Sequence, residues 1–159
     1  PFLNACNKYD KGIFVLVKTS NPSSGEFQDI EAGGRALYEY VGKKVAEWGS
    51  LSMDGYYSNV GAVVGATFPE VIKKLRKLMP YTYFLVPGYG AQGAGAAELK
   101  YCFNDDGLGA IINSSRGIIA AYKSEKYKNK FSSREFAEAS RFAVSDMIKD
   151  ISSAAGRGD

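Results

Sequence analysis

An α/β fold built on a parallel sheet is what this sequence predicts, on three observations. Four short runs are continuously apolar, helical patterns lie between them, and small or turn-forming residues close each run. The runs are Gly12–Lys18 (GIFVLVK), Gly61–Ala66 (GAVVGA), Tyr83–Pro87 (YFLVP) and Gly109–Asn113 (GAIIN). Their brevity and β-branched content suit parallel strands buried on both faces.

Each intervening stretch has its own signal. Pro1–Tyr9 reads as the tail of an amphipathic helix, with Phe2, Leu3, Cys6 and Tyr9 on one face. A helix leading straight into a buried parallel strand normally follows another strand, so the chain is expected to be a fragment, or one piece of a nicked protein. Thr19–Gly34 is a long connection whose Asn21-Pro22-Ser23-Ser24-Gly25 cluster turns the chain before a helix. Arg35–Trp48 places Leu37, Val41, Val45 and Trp48 at steps of three and four. In Pro69–Leu78 the apolar stripe is Val71, Ile72, Leu75 and Leu78, with Thr67 as the expected N-cap. Lys73, Lys74, Arg76 and Lys77 then read as the solvated side of that helix. Ala94–Phe103 is an Ala-rich helix, and Phe131–Ile151 is the longest, with Ser132 and Ser133 as its cap and Glu135 completing a capping-box pattern. Ser152–Asp159, rich in Gly, Ser and Ala, reads as a frayed tail.

Strand and helix thus alternate four times, and right-handed crossovers allow two closures, an open doubly wound sheet or a barrel. Periodicity leaves both open. Four parallel strands covered on one side only would keep two open edges and a bare apolar face.

Composition narrows the function classes. The chain's 159 residues suffice for one domain but fall short of the roughly 250 of a complete eight-fold barrel. No apolar run approaches the ~20 residues of a membrane helix, and no basic-then-apolar leader opens the chain, so the cytoplasm is the default compartment and no membrane partner is expected. A net charge of +3 does not argue for nucleic acid. The absence of histidine excludes Ser-His-Asp and Cys-His catalysis and every His-based metal site from residues of this chain. Cys6 and Cys102 lie far apart among apolar neighbours and read as buried free thiols.

Two loops carry chemistry. In Val86-Pro87-Gly88-Tyr89-Gly90-Ala91-Gln92-Gly93, Pro87 stops the strand and the glycines let backbone N–H groups turn towards a bound group. Gln92 adds an amide donor. The spacing matches neither a dinucleotide fingerprint nor a P-loop. One βα unit later, Asn113-Ser114-Ser115-Arg116-Gly117 follows the last strand, and Arg116 offers a planar, permanently charged fork suited to a phosphate dianion. A third group, Thr19-Ser20-Asn21-Pro22-Ser23-Ser24, presents short polar side chains that either read the edge of a base or form turns.

These stretches together, FVLVKTSNPSSGEFQD (Phe14–Asp29), VGAVVGATFPE (Val60–Glu70), FLVPGYGAQG (Phe84–Gly93) and INSSRGI (Ile112–Ile118), resemble the orotidine 5'-phosphate decarboxylases, in particular the bacterial subfamily with an extended loop after the fifth strand. The resemblance covers nearly the whole chain, in order. It implies that residues 1–159 are the C-terminal portion, strands five to eight, of a (β/α)8 TIM barrel whose N-terminal half lies outside this chain. It implies decarboxylation of orotidine monophosphate to UMP in pyrimidine synthesis, with no metal or organic cofactor. Gln92 and Arg116 then hold the 5'-phosphate with backbone help from Gly88 and Gly93, Pro87 packs near the base, and Ser20 contacts the pyrimidine. The family's catalytic array is two lysines and two aspartates from the second and third strands, one aspartate lent by the partner of a homodimer. No Asp-x-Lys-x-x-Asp pattern occurs here, so no catalytic residue is assigned to this chain. Lys18 shares strand parity with Ser20, which points it to the barrel mouth, and it is expected in a structural ion pair. Two other readings stand beside this one: a sugar-phosphate isomerase or aldolase sharing the last two phosphate loops, and a non-enzymatic phosphate-binding half-barrel.

Overall fold

A computed structural model of the chain describes residues 1–90 and 95–155. In chain order its elements are α1 (Phe2–Tyr9), β1 (Ile13–Lys18), α2 (Gly25–Gln28), β2 (Glu31–Ala32), β3 (Arg35–Ala36), α3 (Leu37–Ser50), β4 (Met53–Asp54), β5 (Tyr57–Val64), α4 (Pro69–Leu78), β6 (Thr82–Pro87), α5 (Ala96–Leu99), β7 (Ala110–Asn113), α6 (Ser115–Ile119) and α7 (Phe136–Ala154). The main sheet runs β1–β5–β6–β7 with every neighbouring pair parallel, while β4 pairs antiparallel with the start of β5 and β2–β3 form a small separate hairpin. Spatial order equals sequence order. A doubly wound sheet reverses its order partway, and these four strands contain no such reversal.

Because each right-handed crossover steps the same way, α3, α4 and α5 all fall on one face of the sheet. Alternation does the rest. Val60, Ala62 and Val64 of β5 and Phe84 and Val86 of β6 are fully buried in one cluster with Val45, Ile72, Leu75 and Leu99 of the helices. The opposite face is open: Phe14, Leu16 and Ile111 are 45%, 63% and 47% exposed. The apolar runs therefore bury one face rather than both. A second, smaller cluster of Ala121, Tyr127 and Ala139 lies beneath α7.

Several local expectations shift. α4 has the expected bounds, but its N-cap is Phe68, not Thr67, because Pro69 takes the first helical position. The Ala-rich helix is shorter, with α5 passing into a 3₁₀ turn at Lys100–Cys102. α7 is preceded by a 3₁₀ turn at Ser133–Glu135, where the Glu135 carboxylate accepts from the Ser132 N–H at 2.9 Å and its hydroxyl at 2.8 Å. Cys6 and Cys102 are free and buried.

Arg76 departs most. Lys73 and Lys74 do pair at the surface, with Glu70 and Glu39, but Arg76 turns inward. Its guanidinium donates to the carbonyls of Met79, Thr82, Cys102 and Gly109 at 2.7–3.0 Å and lies 3.7 Å from the centre of the Phe84 ring. It ties the end of α4 to the start of β6, to the 3₁₀ turn after α5 and to the residue before β7. Burial lowers its pKa to about 10, against opposing contributions from Cys102, Tyr57 and Asp106, so it stays cationic at neutral pH.

Candidate functional site

Parallel strands in one sheet end on one edge, and there the loops after β1, β5, β6 and β7 emerge together. That edge is where α/β sheets bind ligands. Its most developed part lies between β6 and β7. Pro87 is the register partner of Asn113, so the Gly-rich loop and the SSRG turn leave the sheet side by side, about 4.8 Å apart. Gly88 and Gly90 adopt φ of 95° and 76°, a backbone that a Cβ would strain, and this turns the loop sharply off the strand. The buried Ser114 hydroxyl donates to the Tyr89 carbonyl at 2.8 Å and locks the two turns to each other.

Between them is a cavity of about 160 Å³ lined by Pro87, Gly88, Tyr89, Asn113, Ser114, Ser115 and Arg116. Three residues singled out from sequence, Pro87, Gly88 and Arg116, thus meet at one small pocket. Arg116 is exposed, and its guanidinium has no ion pair or side-chain hydrogen bond among the described residues. Gln92 and Gly93, expected to complete the grip, lie outside the described residues.

A larger cavity of about 720 Å³ adjoins this one and shares Tyr89, Ser114 and Arg116, but its far wall is α7, with Asp146 and Asp150. Both carboxylates are engaged. Tyr89 donates its hydroxyl to Asp150, and Tyr127 and Lys126 donate to Asp146. Burial, then the Asp150 hydrogen bond, holds the Tyr89 pKa above the ordinary tyrosine range. Hydrogen bonds from Lys126 and then Tyr127 hold the Asp146 carboxyl below its usual value. In the larger cavity the two carboxylates offset the charges of Arg116 and Lys126, whereas no carboxylate lines the smaller one, which is therefore the better anion seat.

Ser20 does not line either cavity. It follows β1 on the same edge, two strands from β6, roughly 10 Å away by strand spacing. Its backbone lies against the end of β5, where a Cβ on Gly65 would sit 2.8 Å from the Ser20 nitrogen and Cβ. Thr19 is gripped twice by Gln28, whose Oε1 accepts from the Thr19 N–H at 2.9 Å and whose Nε2 donates to the Thr19 hydroxyl at 3.0 Å. Lys18 forms the expected ion pair, with Asp29 at 2.6 Å. It does not follow the expected parity. A register irregularity between Leu16 and Lys18 breaks the alternation, and the Lys18 ammonium is buried 5.6 Å from the Tyr38 ring and 5.3 Å from the Phe68 ring.

Among the described residues no group of three or more Cys, Asp or Glu is arranged to hold a metal ion, and no helix is long and apolar enough to cross a membrane. Gln28, Asp29, Tyr89 and Ser114 carry no distinguishing signal in the sequence. Each acts through a contact that only folding creates.

Residues 1–130 match the family described as orotidine 5'-phosphate decarboxylase / HUMPS. Over 157 residues, 98% of this chain and 49% of the relative, it is 46% identical to an orotidine 5'-phosphate decarboxylase of Caldicellulosiruptor bescii. Over 153 residues, 95% of this chain and 50% of the relative, it is 44% identical to that of Rhodopirellula baltica. The solved Leishmania donovani OMP decarboxylase superposes with a TM-score of 0.72 at 32% identity, covering 98% of this chain and 53% of that one. The chain spans about half the length of the curated relatives it matches.

Proposed function

We propose, from the premise that this chain belongs to the orotidine 5'-phosphate decarboxylase / HUMPS family, that it supplies the phosphate- and base-binding edge of an orotidine 5'-phosphate decarboxylase. The complete enzyme converts orotidine monophosphate to UMP and CO2 in the cytoplasm. The observation that carries this reading is the convergence of Pro87, Gly88 and Arg116 on one small cavity at the C-terminal edge of the parallel sheet. Arg116 places a permanent charge beside backbone that glycine keeps open, a donor set suited to a phosphate dianion. Gln92 and Gly93 belong to the same loop in this reading, and Ser20 meets the pyrimidine at the β1 side.

In the same reading β1, β5, β6 and β7 are strands five to eight of a TIM barrel, and residues 1–159 are one part of that single domain. The sequential strand order and the open apolar face of Phe14, Leu16 and Ile111 support it, because a second set of four strands closes both edges and covers that face. The lysines and aspartates that handle the carboxylate come from that other half, with one aspartate from the second subunit of a homodimer. The residues of this chain bind and orient. Binding energy at the phosphate closes loops over the substrate and excludes water, although the phosphate is remote from the reacting carbon.

The test is Arg116→Ala in the full-length protein, with UMP and uridine titrated in parallel. Loss of a charge-assisted contact worth about 1.5–3 kcal/mol weakens UMP by roughly 10- to 100-fold and leaves uridine nearly unchanged. Equal losses for both ligands remove Arg116 from the phosphate site.

A further inference from the structure

We propose that the buried Lys18–Asp29 ion pair and the Gln28 amide form a positioning device that fixes the Ser20 hydroxyl for base recognition. The proposal rests on the nucleotide-binding reading above and extends it to three residues that touch no ligand in that reading.

Lys18 is among the largest fully buried side chains, with 2% of its side chain exposed, and an ammonium out of water is expensive unless it is paired. A leucine or methionine would fill the same space between Tyr38 and Phe68 more cheaply. What the charge adds is direction. Lys18 is the last residue of β1, and Asp29 follows α2, so their 2.6 Å contact closes the Thr19–Gln28 segment into a loop anchored to the sheet.

Contacts from two sides converge around Ser20. Gln28 grips Thr19 through both its backbone N–H and its hydroxyl. On the sheet side, the Lys18 carbonyl accepts from the Gly65 N–H at 2.8 Å, and the bare Gly65 backbone sits directly against Ser20. Ser20 is therefore set between a doubly held neighbour and the end of a central strand. Such support from packed and hydrogen-bonded residues is what keeps a binding group within a fraction of an ångström of its working position. The Asn21 amide donating to Ser23 at 2.9 Å, and the Thr19 hydroxyl donating to Asn21 at 2.6 Å, complete a loop with little freedom.

The experiment uses the full-length protein and the variants Lys18→Met, Asp29→Asn and Gln28→Ala, each titrated with UMP and with ribose 5-phosphate, which keeps the phosphate and sugar but lacks the base. Thermal unfolding is followed on the same samples. In folded variants UMP weakens by about tenfold, the worth of one misplaced hydrogen bond, while ribose 5-phosphate stays within about twofold of the parent protein. Equal weakening of both ligands overturns the proposal in favour of a general structural role, and so does unchanged UMP binding with only a lowered Tm. Should Asp29→Asn fail to fold because it leaves the buried Lys18 ammonium unpaired, Lys18→Met carries the test, since it removes that charge and leaves only the 50% exposed Asp29 carboxylate to be solvated. Failure of the parent protein to bind UMP overturns the nucleotide reading itself, an outcome distinct from a changed ligand ratio in the variants.

Discussion

Arg76 gives the sharpest stability prediction, because its role follows directly from its contacts. In Arg76→Met the aliphatic stem is retained and the four carbonyl contacts are lost. They are not equal. The Met79 and Gly109 carbonyls keep second donors, the N–H groups of Thr82 and Phe84 at 3.3 and 2.8 Å. The loss therefore concentrates on the bonds to Cys102 and Thr82, at 2.7 and 2.9 Å. At about 1.5–3 kcal/mol for each bond to a charged donor, with about 1 kcal/mol from the guanidinium over the buried Phe84 ring, the gross loss is several kcal/mol. The burial that lowers the guanidinium pKa to about 10 is an opposing cost that disappears with it. The net expectation is a destabilisation of roughly 3 kcal/mol. Urea unfolding of the full-length protein, followed by far-UV circular dichroism, reads this as a lower midpoint at unchanged slope. Arg76→Lys recovers only part, because a single ammonium cannot span carbonyls from four separate segments. A loss below about 1 kcal/mol in Arg76→Met would refute the claim that Arg76 holds these segments together.

Two further predictions address the site edge and the core. Gly65→Ala drives a Cβ to within 2.8 Å of Ser20 backbone, which no side-chain rotation relieves, so both Tm and UMP affinity should fall; unchanged values for both would show that the two strand ends are not in close contact. Cys102 is fully buried with its thiol pushed up to about 12 by burial, Arg76 opposing, and Cys6 is 6% exposed, so neither should react with iodoacetamide at pH 8 in the native protein and both should in urea. Rapid native labelling of Cys102 would contradict its packing under α4.

Much of this architecture is legible because the determining signals are local. α4 begins at Pro69 and ends at Leu78 as the stripe and the proline dictate, and all four apolar runs are strands. The meeting of the Gly-rich loop and the Arg116 turn is legible for a related reason. When two successive βα units have parallel strands side by side, residues just past each strand end must be neighbours, and the Pro87–Asn113 register makes them so. What escapes is whatever depends on a distant partner. Arg76 shares its helix and its spacing with Lys73, Lys74 and Lys77. Only the arrival of the Cys102 and Gly109 carbonyls, 26 and 33 residues later, distinguishes it. Lys18 misleads for a different reason. Parity along a strand holds only while the ladder is regular, and no residue between Leu16 and Lys18 announces the irregularity.

The candidate binding edge and the bare apolar face have one cause. Strands laid down in sequence order, each crossover stepping the same way, must bring every βα loop to the same end and every crossover helix to the same side. The arrangement that gathers Ser20, Gly88 and Arg116 on one rim therefore also leaves Phe14, Leu16 and Ile111 without helical cover. Loop chemistry and face chemistry are then not independent. Moving helices to the open side would require reversing the strand order, which would separate the β6 and β7 loops that share the small cavity. In a closed barrel the conflict vanishes, because further strands cover the open face from within and pair with the free edges of β1 and β7 while leaving the rim intact. The apolar face is thus the structural counterpart of the site.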